Sequence, residues 1–212
     1  MREILMFIME LLGTVSFAVS GTLVAISCGL DLFGVLTVGT ITAVGGGIIR
    51  DVIIGQIPPT IFSKPEVLLI AIMTALIVFI IAYINSKRIN DLSKKIDNIN
   101  IFFDAVGLAA FSVTGVEVTC TAGYNKNIVL VFVLGVITGV GGGVLRDVLV
   151  NEKPYILVKH IYAVASLLGA VVYYVIGIHF GHELVGTIVS VLLTVTIRML
   201  AAKFRWNLPK VM

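Results

Sequence analysis

Seven long apolar runs dominate this chain of 212 residues. A helix that crosses a bilayer needs about 20 mostly apolar residues, and each run comes close to that length. Because 58% of the residues are hydrophobic and only 13% are charged, a water-soluble fold has no way to bury so much apolar surface. The sequence therefore predicts an all-α membrane protein, one transmembrane domain over residues 1–212. The runs are 4–26, 32–54, 66–85, 100–122, 127–150, 158–178 and 184–201.

Several functional classes are excluded by what the sequence lacks. The basic residues form no clustered stripe of the kind that binds nucleic acid, and the net charge is only +3. Two cysteines provide neither a disulfide scaffold nor a thiolate metal site. His179 and His182 have the spacing of metal ligands, but only Glu183 is near as a third ligand, so we expect no metal. No nucleophile–base set, phosphate loop or dinucleotide motif occurs, so we expect no enzyme.

Basic residues are unevenly divided between the two sides of the predicted membrane span. The side of the N-terminus has three near the helix ends: Arg2, Lys64 and Lys126. The other side has nine: Lys87, Arg88, Lys94, Lys95, Lys153, Lys159, Lys203, Arg205 and Lys210. Because an excess of Lys and Arg marks the cytoplasmic side, we expect a multi-pass protein of the cell membrane, with its N-terminus outside and its C-terminus in the cytoplasm. The polar stretch 87–99 is then the central cytoplasmic loop.

The chain contains an internal repeat. Residues 17–21 match residues 111–115 at an offset of 94, and both segments keep the order Phe, small, Val, hydroxyl, Gly. Residues 45–52 match residues 141–148 at an offset of 96, and both contain Gly-Gly-Gly-x-x-Arg-Asp-Val. Each copy has an odd number of helices, so the second copy must enter the membrane upside down, as in many transport proteins. The predicted boundaries are 1–86 for the first repeat, 100–180 for the second and 184–201 for the seventh helix.

A glycine triplet interrupts the second helix of each repeat. Each glycine in a helix interior is unfavourable by about 1 kcal/mol relative to alanine, so triplets at symmetry-related places need a reason. Close packing of helices is one explanation. We favour another, in which helices 2 and 5 are kinked or locally unwound and expose backbone groups to a water-filled pathway. The predicted hinge residues are Gly45, Gly46, Gly47, Gly141, Gly142 and Gly143.

Eight ionisable residues lie inside the apolar runs. Each is unfavourable by roughly 2.5–3.5 kcal/mol at mid-bilayer, so charged residues there are functional candidates by default. One of them, Arg198, lies near the cytoplasmic end of the last helix, and we expect it to reach the membrane surface as an anchor. The other seven are the predicted pathway charges: Glu10, Arg50, Asp51, Asp104, Glu117, Arg146 and Asp147.

Partners for these charges follow from their depth in the membrane. Neighbouring side chains diverge on a helix, so Arg50 and Asp51 are not expected to pair with each other. At about 1.5 Å of rise per residue, Glu10 and Arg50 lie at similar shallow depths on the N-terminal side. We therefore expect Glu10 to pair with Arg50, and the repeat then predicts the pair Asp104–Arg146 on the other side. Glu117 breaks the repeat and is expected to reach Arg50 as well.

The doubled Gly-Gly-Gly-x-x-Arg-Asp motif, in a plan of three, three and one helices, resembles the prokaryotic trimeric intracellular cation (TRIC) channel family. Members of that family have also been grouped as glycine transporters. The resemblance covers the whole chain and implies a homotrimer with one pore in each subunit. It also implies that helices 2 and 5 bend at the glycines, and that Arg50 and Arg146 are pore residues. Small residues on helices 1 and 4 support self-association: Gly13, Gly21, Gly107 and Gly115.

The function expected on these grounds is a monovalent cation channel for K⁺ and Na⁺, with weak selectivity because no filter-like loop occurs. We expect no cofactor. The expected ligands are the permeant K⁺ or Na⁺ ion and bound lipid. A secondary transporter of a small zwitterion such as glycine is the alternative, since broken helices at an inverted repeat serve both activities. A structural or assembly protein of the membrane is a third interpretation.

Overall fold

A computed structural model of the protein describes residues 2–85, 93–158 and 161–206. In these ranges seven helices are long and apolar enough to cross a membrane, as the sequence predicts. A short 3₁₀ helix, Thr60–Phe62, precedes α3, and a one-turn helix, Tyr155–Val158, precedes α6. The helices α4 and α6 each continue into a π-helical turn, Cys120–Tyr124 and Tyr174–His179. The helices are α1 (Arg2–Ser27), α2 (Leu32–Ile53), α3 (Pro65–Ile84), α4 (Ser93–Thr119), α5 (Ile128–Leu149), α6 (Tyr162–Tyr173) and α7 (Glu183–Phe204).

The boundary between the polar loop and α4 differs from the sequence prediction. The helix α4 begins at Ser93, about two turns before the apolar run, because a polar helical segment remains stable where it extends out of the membrane span. The polar loop predicted at 87–99 is therefore shorter. Four of the basic residues used to predict the orientation lie outside the described residues: Lys87, Arg88, Lys159 and Lys210.

Four helices, α1, α2, α4 and α5, form the centre of the molecule. The helix α3 packs on α1 and α2, and α6 packs in the same way on α4 and α5. The helix α7 closes against α4 and α6. Arg2 at the start of α1 lies 3.3 Å from Glu183 at the start of α7, so both helices begin at one end of the molecule. We call that end the N-terminal face and the other end the C-terminal face.

Packing at the centre is reciprocal between the two repeats. Phe17 of α1 lies directly against Gly107 of α4, and Phe111 of α4 lies against Gly13 of α1. The two phenylalanine rings meet with their centroids 5.3 Å apart. Gly13 corresponds to Gly107, and Phe17 to Phe111, at the repeat offset of 94, so the two contacts are equivalent. The helices α1 and α4 are therefore related by an internal two-fold axis that passes between the two rings.

The glycines predicted to support self-association are used inside the subunit. Gly13 and Gly107 hold the phenylalanines of the opposite helix, and Gly21 packs against Thr42 of α2. Gly115 packs in the same way against Thr138 of α5. Because all four faces are covered within one chain, that prediction is wrong for these residues.

The helices α2 and α5 cross with their backbones in contact. A Cβ atom on Gly46 would collide with the backbone oxygen of Thr138, and one on Gly142 would collide with the backbone oxygen of Thr42. A Cβ atom on Gly141 would lie 3.0 Å from the Cα atom of Gly46. Only glycine permits so close an approach, so the triplets are the contact surface of the crossing.

The helices α2 and α5 are continuous through the triplets. Both remain α-helical over their whole length, α2 over Leu32–Ile53 and α5 over Ile128–Leu149. The predicted local unwinding is therefore wrong, because the backbone groups of the triplets keep their helical hydrogen bonds. Close packing of helices, the other explanation, accounts for Gly46, Gly141 and Gly142. A bend within the continuous helices stays a prediction.

We expect Gly142→Ala to destabilise the folded protein by about 1–3 kcal/mol, because its methyl group meets backbone that cannot move aside. Gly47→Ala is the matched control, since a Cβ atom there has only the Arg50 guanidinium at 3.7 Å nearby. Thermal unfolding of the purified protein in detergent measures both. Equal stability of the two variants would show that the crossing tolerates a larger separation.

Candidate functional site

One cavity opens at the N-terminal face between α1, α2 and α4, and we call it the N-terminal mouth. Its volume is about 410 Å³, and it reaches down to Val44 and Gly47 beside the helix crossing. Three of the predicted pathway charges thus share one cavity. Its polar lining consists of Glu3, Glu10, Thr14, Arg50, Asp51, Gln56, Thr60, Lys64 and Thr114.

A smaller cavity of about 190 Å³ opens at the C-terminal face, and we call it the C-terminal mouth. Its lining includes the repeat counterparts of residues in the N-terminal mouth: Asp97 for Glu3, Asn100 for Met6, Asp147 for Asp51, Glu152 for Gln56 and Val24 for Val118. The two mouths are therefore related by the internal two-fold axis. They lie on opposite faces of the molecule, with the crossing of α2 and α5 between them.

Arg50 and Asp51, at the end of α2, form an ion pair in the N-terminal mouth. The Nε and Nη2 atoms of Arg50 donate to one carboxylate oxygen of Asp51 at 2.9 and 2.7 Å. The other oxygen of Asp51 accepts from the backbone NH and the hydroxyl of Thr60 at 2.8 and 2.7 Å. The prediction that these neighbours do not pair is wrong, because the long arginine side chain folds back onto a carboxylate that the following loop holds in place.

Glu10 pairs with Lys64 rather than with Arg50. The Lys64 ammonium lies 3.0 Å from the Glu10 carboxylate, and the two side chains are 42% and 29% exposed. The predicted pair Glu10–Arg50 is therefore wrong. Depth in the membrane does not show that the loop before α3 folds over the mouth. There Lys64, the residue that precedes α3, binds Glu10 in place of Arg50.

Arg146 is the fully buried counterpart of Arg50, with a side-chain exposure of 0%. Its Nη1 atom donates to Asp104 of α4 at 2.9 Å and to the Ser20 hydroxyl of α1 at 2.7 Å. Its Nε atom donates to Asp147 at 2.8 Å. The predicted pair Asp104–Arg146 is thus present, and the guanidinium also joins α5 to α1 across the inner end of the C-terminal mouth.

Arg198 of α7 belongs to the same buried network. It is 2% exposed, lies 3.5 Å from Asp104, and has its guanidinium 4.4 Å from the centre of the Tyr162 ring. The prediction that it reaches the membrane surface is wrong, because α7 turns a polar stripe towards the protein. Helical spacing gives a sequence signal for this stripe, whose buried members are Thr187, Ser190, Thr194 and Arg198.

Glu117 forms a separate cluster at the N-terminal face. It is almost fully buried, forms an ion pair with Arg2, and accepts a hydrogen bond from the Tyr173 hydroxyl at 2.6 Å. Arg2 also reaches Glu183. The expectation that Glu117 reaches Arg50 is wrong, because Glu117 faces α6 and α7, and the cluster joins the ends of α1, α4, α6 and α7.

A family model described as glycine transporter matches this chain twice, over residues 7–83 and 101–177. The two ranges correspond to α1–α3 and α4–α6. The UPF0126 inner membrane protein YadS of Escherichia coli is 35% identical over 206 residues, which cover 97% of this chain and 95% of that protein.

Two solved structures are similar over nearly the whole chain. One is a crystal structure of a prokaryotic TRIC channel, 35% identical, with a TM-score of 0.84 over 97% of this chain and 100% of that one. The other, from Rhodobacter sphaeroides, is a TRIC trimeric intracellular cation channel orthologue, 30% identical, with a TM-score of 0.83 over 94% and 98%.

The chain belongs to the family of the prokaryotic TRIC proteins and is a multi-pass membrane protein. The family resemblance is thereby confirmed, as is the all-α fold, with seven helices of membrane-spanning length in the part of the chain that the structure describes. Relatives and solved neighbours are membrane proteins and channels, which agrees with the prediction that the chain is not an enzyme.

The two mouths differ in how much stability their ion pairs contribute. Asp104→Asn is expected to destabilise the protein by about 3–5 kcal/mol, because it leaves buried arginines without their common carboxylate. Glu10→Gln, the matched change in the other repeat, breaks an exposed pair and is expected to change stability by about 1 kcal/mol or less. Chemical or thermal unfolding in detergent distinguishes them. A similar loss in both variants would contradict the assignment of one buried and one exposed pair.

Proposed function

We propose that the chain is a cation channel, with a pathway that joins the N-terminal mouth to the C-terminal mouth past the crossing of α2 and α5. The two mouths are related by the internal two-fold axis and are lined by polar residues of the central helices. The similarity to solved TRIC cation channels supports the proposal.

The charge of the mouths is the observation that carries the proposal for cations. The C-terminal mouth is lined by Asp97, Asp147 and Glu152, and no Lys or Arg is among its described lining residues. In the N-terminal mouth the acids Glu3, Glu10 and Asp51 exceed the two basic residues. Acidic mouths in a low-dielectric surrounding concentrate cations and repel anions.

Monovalent ions, K⁺ and Na⁺, are the proposed permeant species. In the described part of the chain no group of three or more Asp, Glu, His or Cys side chains is placed to hold a metal ion. A divalent ion prefers such a set of hard oxygen ligands. The sequence also has no filter loop, which supports weak selectivity between K⁺ and Na⁺.

A secondary transporter of a small zwitterion such as glycine is the second candidate. The family model has the description glycine transporter, and the two mouths differ in volume, about 410 Å³ at the N-terminal face and about 190 Å³ at the C-terminal face. Unequal access to the two faces is typical of transporters that alternate between them. Unitary currents separate the two candidates, because a transporter moves ions too slowly to produce them.

The proposed orientation places the N-terminal face outside the cell membrane and the C-terminal face in the cytoplasm. Among the described residues, five basic residues lie near helix ends at the C-terminal face, against three, Arg2, Lys64 and Lys126, at the N-terminal face, and this excess supports the orientation by the positive-inside rule. The five are Lys94, Lys95, Lys153, Lys203 and Arg205. Because the side with the excess of Lys and Arg is the cytoplasmic one, the N-terminal face, which has fewer, is proposed to lie outside.

Single-channel recording in planar bilayers under a KCl gradient tests the proposal. We expect unitary currents with a reversal potential near the K⁺ equilibrium potential. Asp97→Asn with Glu152→Gln is expected to lower the conductance about twofold in dilute salt, and less at 1 M, where the Debye length is about 3 Å. Glu66→Gln, an exposed acid outside both mouths, is the control. Glycine uptake without currents would favour the transporter.

We propose a homotrimer, with one pathway in each subunit, because the solved orthologue from Rhodobacter sphaeroides is described as trimeric. Broad apolar surfaces on α3 and α7 remain available for lipid or neighbouring subunits. We expect a detergent-corrected mass of about three chains by light scattering, and a mass of one or two chains would contradict the proposal.

A further inference from the structure

The same positions of the two repeats adopt two different arrangements in one molecule. At the C-terminal face Arg146 reaches across to Asp104 of α4 and Ser20 of α1. Their counterparts at the N-terminal face are Glu10 and Thr114, and among the described residues Arg50 bonds to neither of them. Among the described residues, Arg50 therefore lacks the bonds to α1 and α4 that correspond to those of Arg146.

Access to the centre of the molecule follows this difference. Val44 is partly exposed and lines the N-terminal mouth, whereas its counterpart Val140 is buried and does not line the C-terminal mouth. Gly47 lines the N-terminal mouth as well. Both arginines bind the aspartate that follows them. The arginine that also joins the central helices, Arg146, therefore accompanies a mouth that is closed towards the centre, and Arg50, which among the described residues lacks those cross-links, accompanies an open one.

Lys64 distinguishes the two arrangements. It lies 3.0 Å from Glu10, so it occupies the carboxylate whose counterpart, Asp104, binds Arg146. Glu10, Arg50, Lys64 and Thr114 all line the same cavity, so no helix separates Glu10 from Arg50. Glu10 is also one methylene longer than Asp104, which extends its reach.

We propose that Lys64 is the positioning residue that keeps the N-terminal mouth open by holding Glu10 away from Arg50. This inference rests on the proposed pathway between the two mouths. When Glu10 leaves Lys64 it pairs with Arg50, Arg50 turns towards Thr114, and the mouth closes in the arrangement that Asp104, Arg146 and Ser20 already have at the other face.

Electrostatics make the exchange of partners easy. The Lys64–Glu10 pair is partly exposed to solvent, and water screens such a pair, so it is weaker than a buried one. Glu10 has a cationic partner in either arrangement, so no charge is left alone in the mouth. The released ammonium of Lys64 is 42% exposed already and returns to water.

Reactivity of a cysteine deep in the N-terminal mouth tests this inference. The background is a chain with Cys28→Ser and Cys120→Ala, and the reporter is Val44→Cys, labelled in lipid nanodiscs by a charged methanethiosulfonate reagent. We expect fast labelling with Lys64 present and labelling about tenfold slower with Lys64→Gln, because the mouth then spends most of its time closed. Val140→Cys is the matched control for a closed mouth and is expected to label slowly.

Rescue variants distinguish positioning from general damage. Adding Glu10→Gln to Lys64→Gln is expected to restore fast labelling, since no carboxylate then remains to hold Arg50. Lys64→Arg keeps the cation and is expected to label like the parent. Unchanged labelling in Lys64→Gln, or no rescue by Glu10→Gln, would overturn the inference. If Lys64→Gln does not fold, Lys64→Met with the same rescue replaces it.

The labelling rate does not depend on whether ions flow through the mouth. Failure of the channel proposal, seen as absent currents, therefore leaves this test intact. A slow labelling rate of Val44→Cys in the parent itself would show that the mouth is closed with Lys64 in place, which also contradicts the inference.

Discussion

The crossing of α2 and α5 determines the arrangement of the rest of the protein. Their backbones touch at Gly46 and Gly142, where any side chain would collide with a backbone oxygen of the other helix. Because the contact lies on the internal two-fold axis, it places the ends of both helices, with their Arg-Asp pairs, at opposite faces. The phenylalanines of α1 and α4 pack at the same centre. One close contact thereby creates two polar mouths separated by a short barrier.

Charges in these mouths are held in two different ways. At the C-terminal face two arginines and two aspartates form a buried network with balanced charge, and α7 contributes Arg198 although it lies outside the repeat. In the N-terminal mouth Arg50 pairs with its own neighbour Asp51, and the Lys64–Glu10 pair is partly exposed to solvent. Buried pairs resist rearrangement more strongly than exposed ones, because an unpaired charge in a low dielectric is very unfavourable. The ion pairs of the C-terminal mouth are therefore expected to resist rearrangement, and those of the N-terminal mouth are expected to exchange partners more easily.

The sequence predicts helices and repeats well, and contacts between distant helices less well. Seven apolar runs and a doubled motif are local signals, and both are visible without any knowledge of packing. The pair Asp104–Arg146 followed from matching depth in the membrane and from the repeat. The partners Lys64 and Arg198 were missed because a loop and a seventh helix bring them in, and depth does not record which loop folds over a mouth. The triplets were misinterpreted as unwound, because glycine pattern alone does not separate flexibility from close packing.

Passage of ions beside the crossing is the central claim, and a cysteine at Gly47 tests it most directly. Gly47 lines the N-terminal mouth, and a side chain there has open space next to Arg50. In the background without native cysteines, currents through Gly47→Cys channels are recorded before and after a bulky thiol reagent is added. We predict that complete modification, verified by mass spectrometry, blocks the unitary current. An unchanged current through fully modified channels would place the pathway elsewhere in the protein.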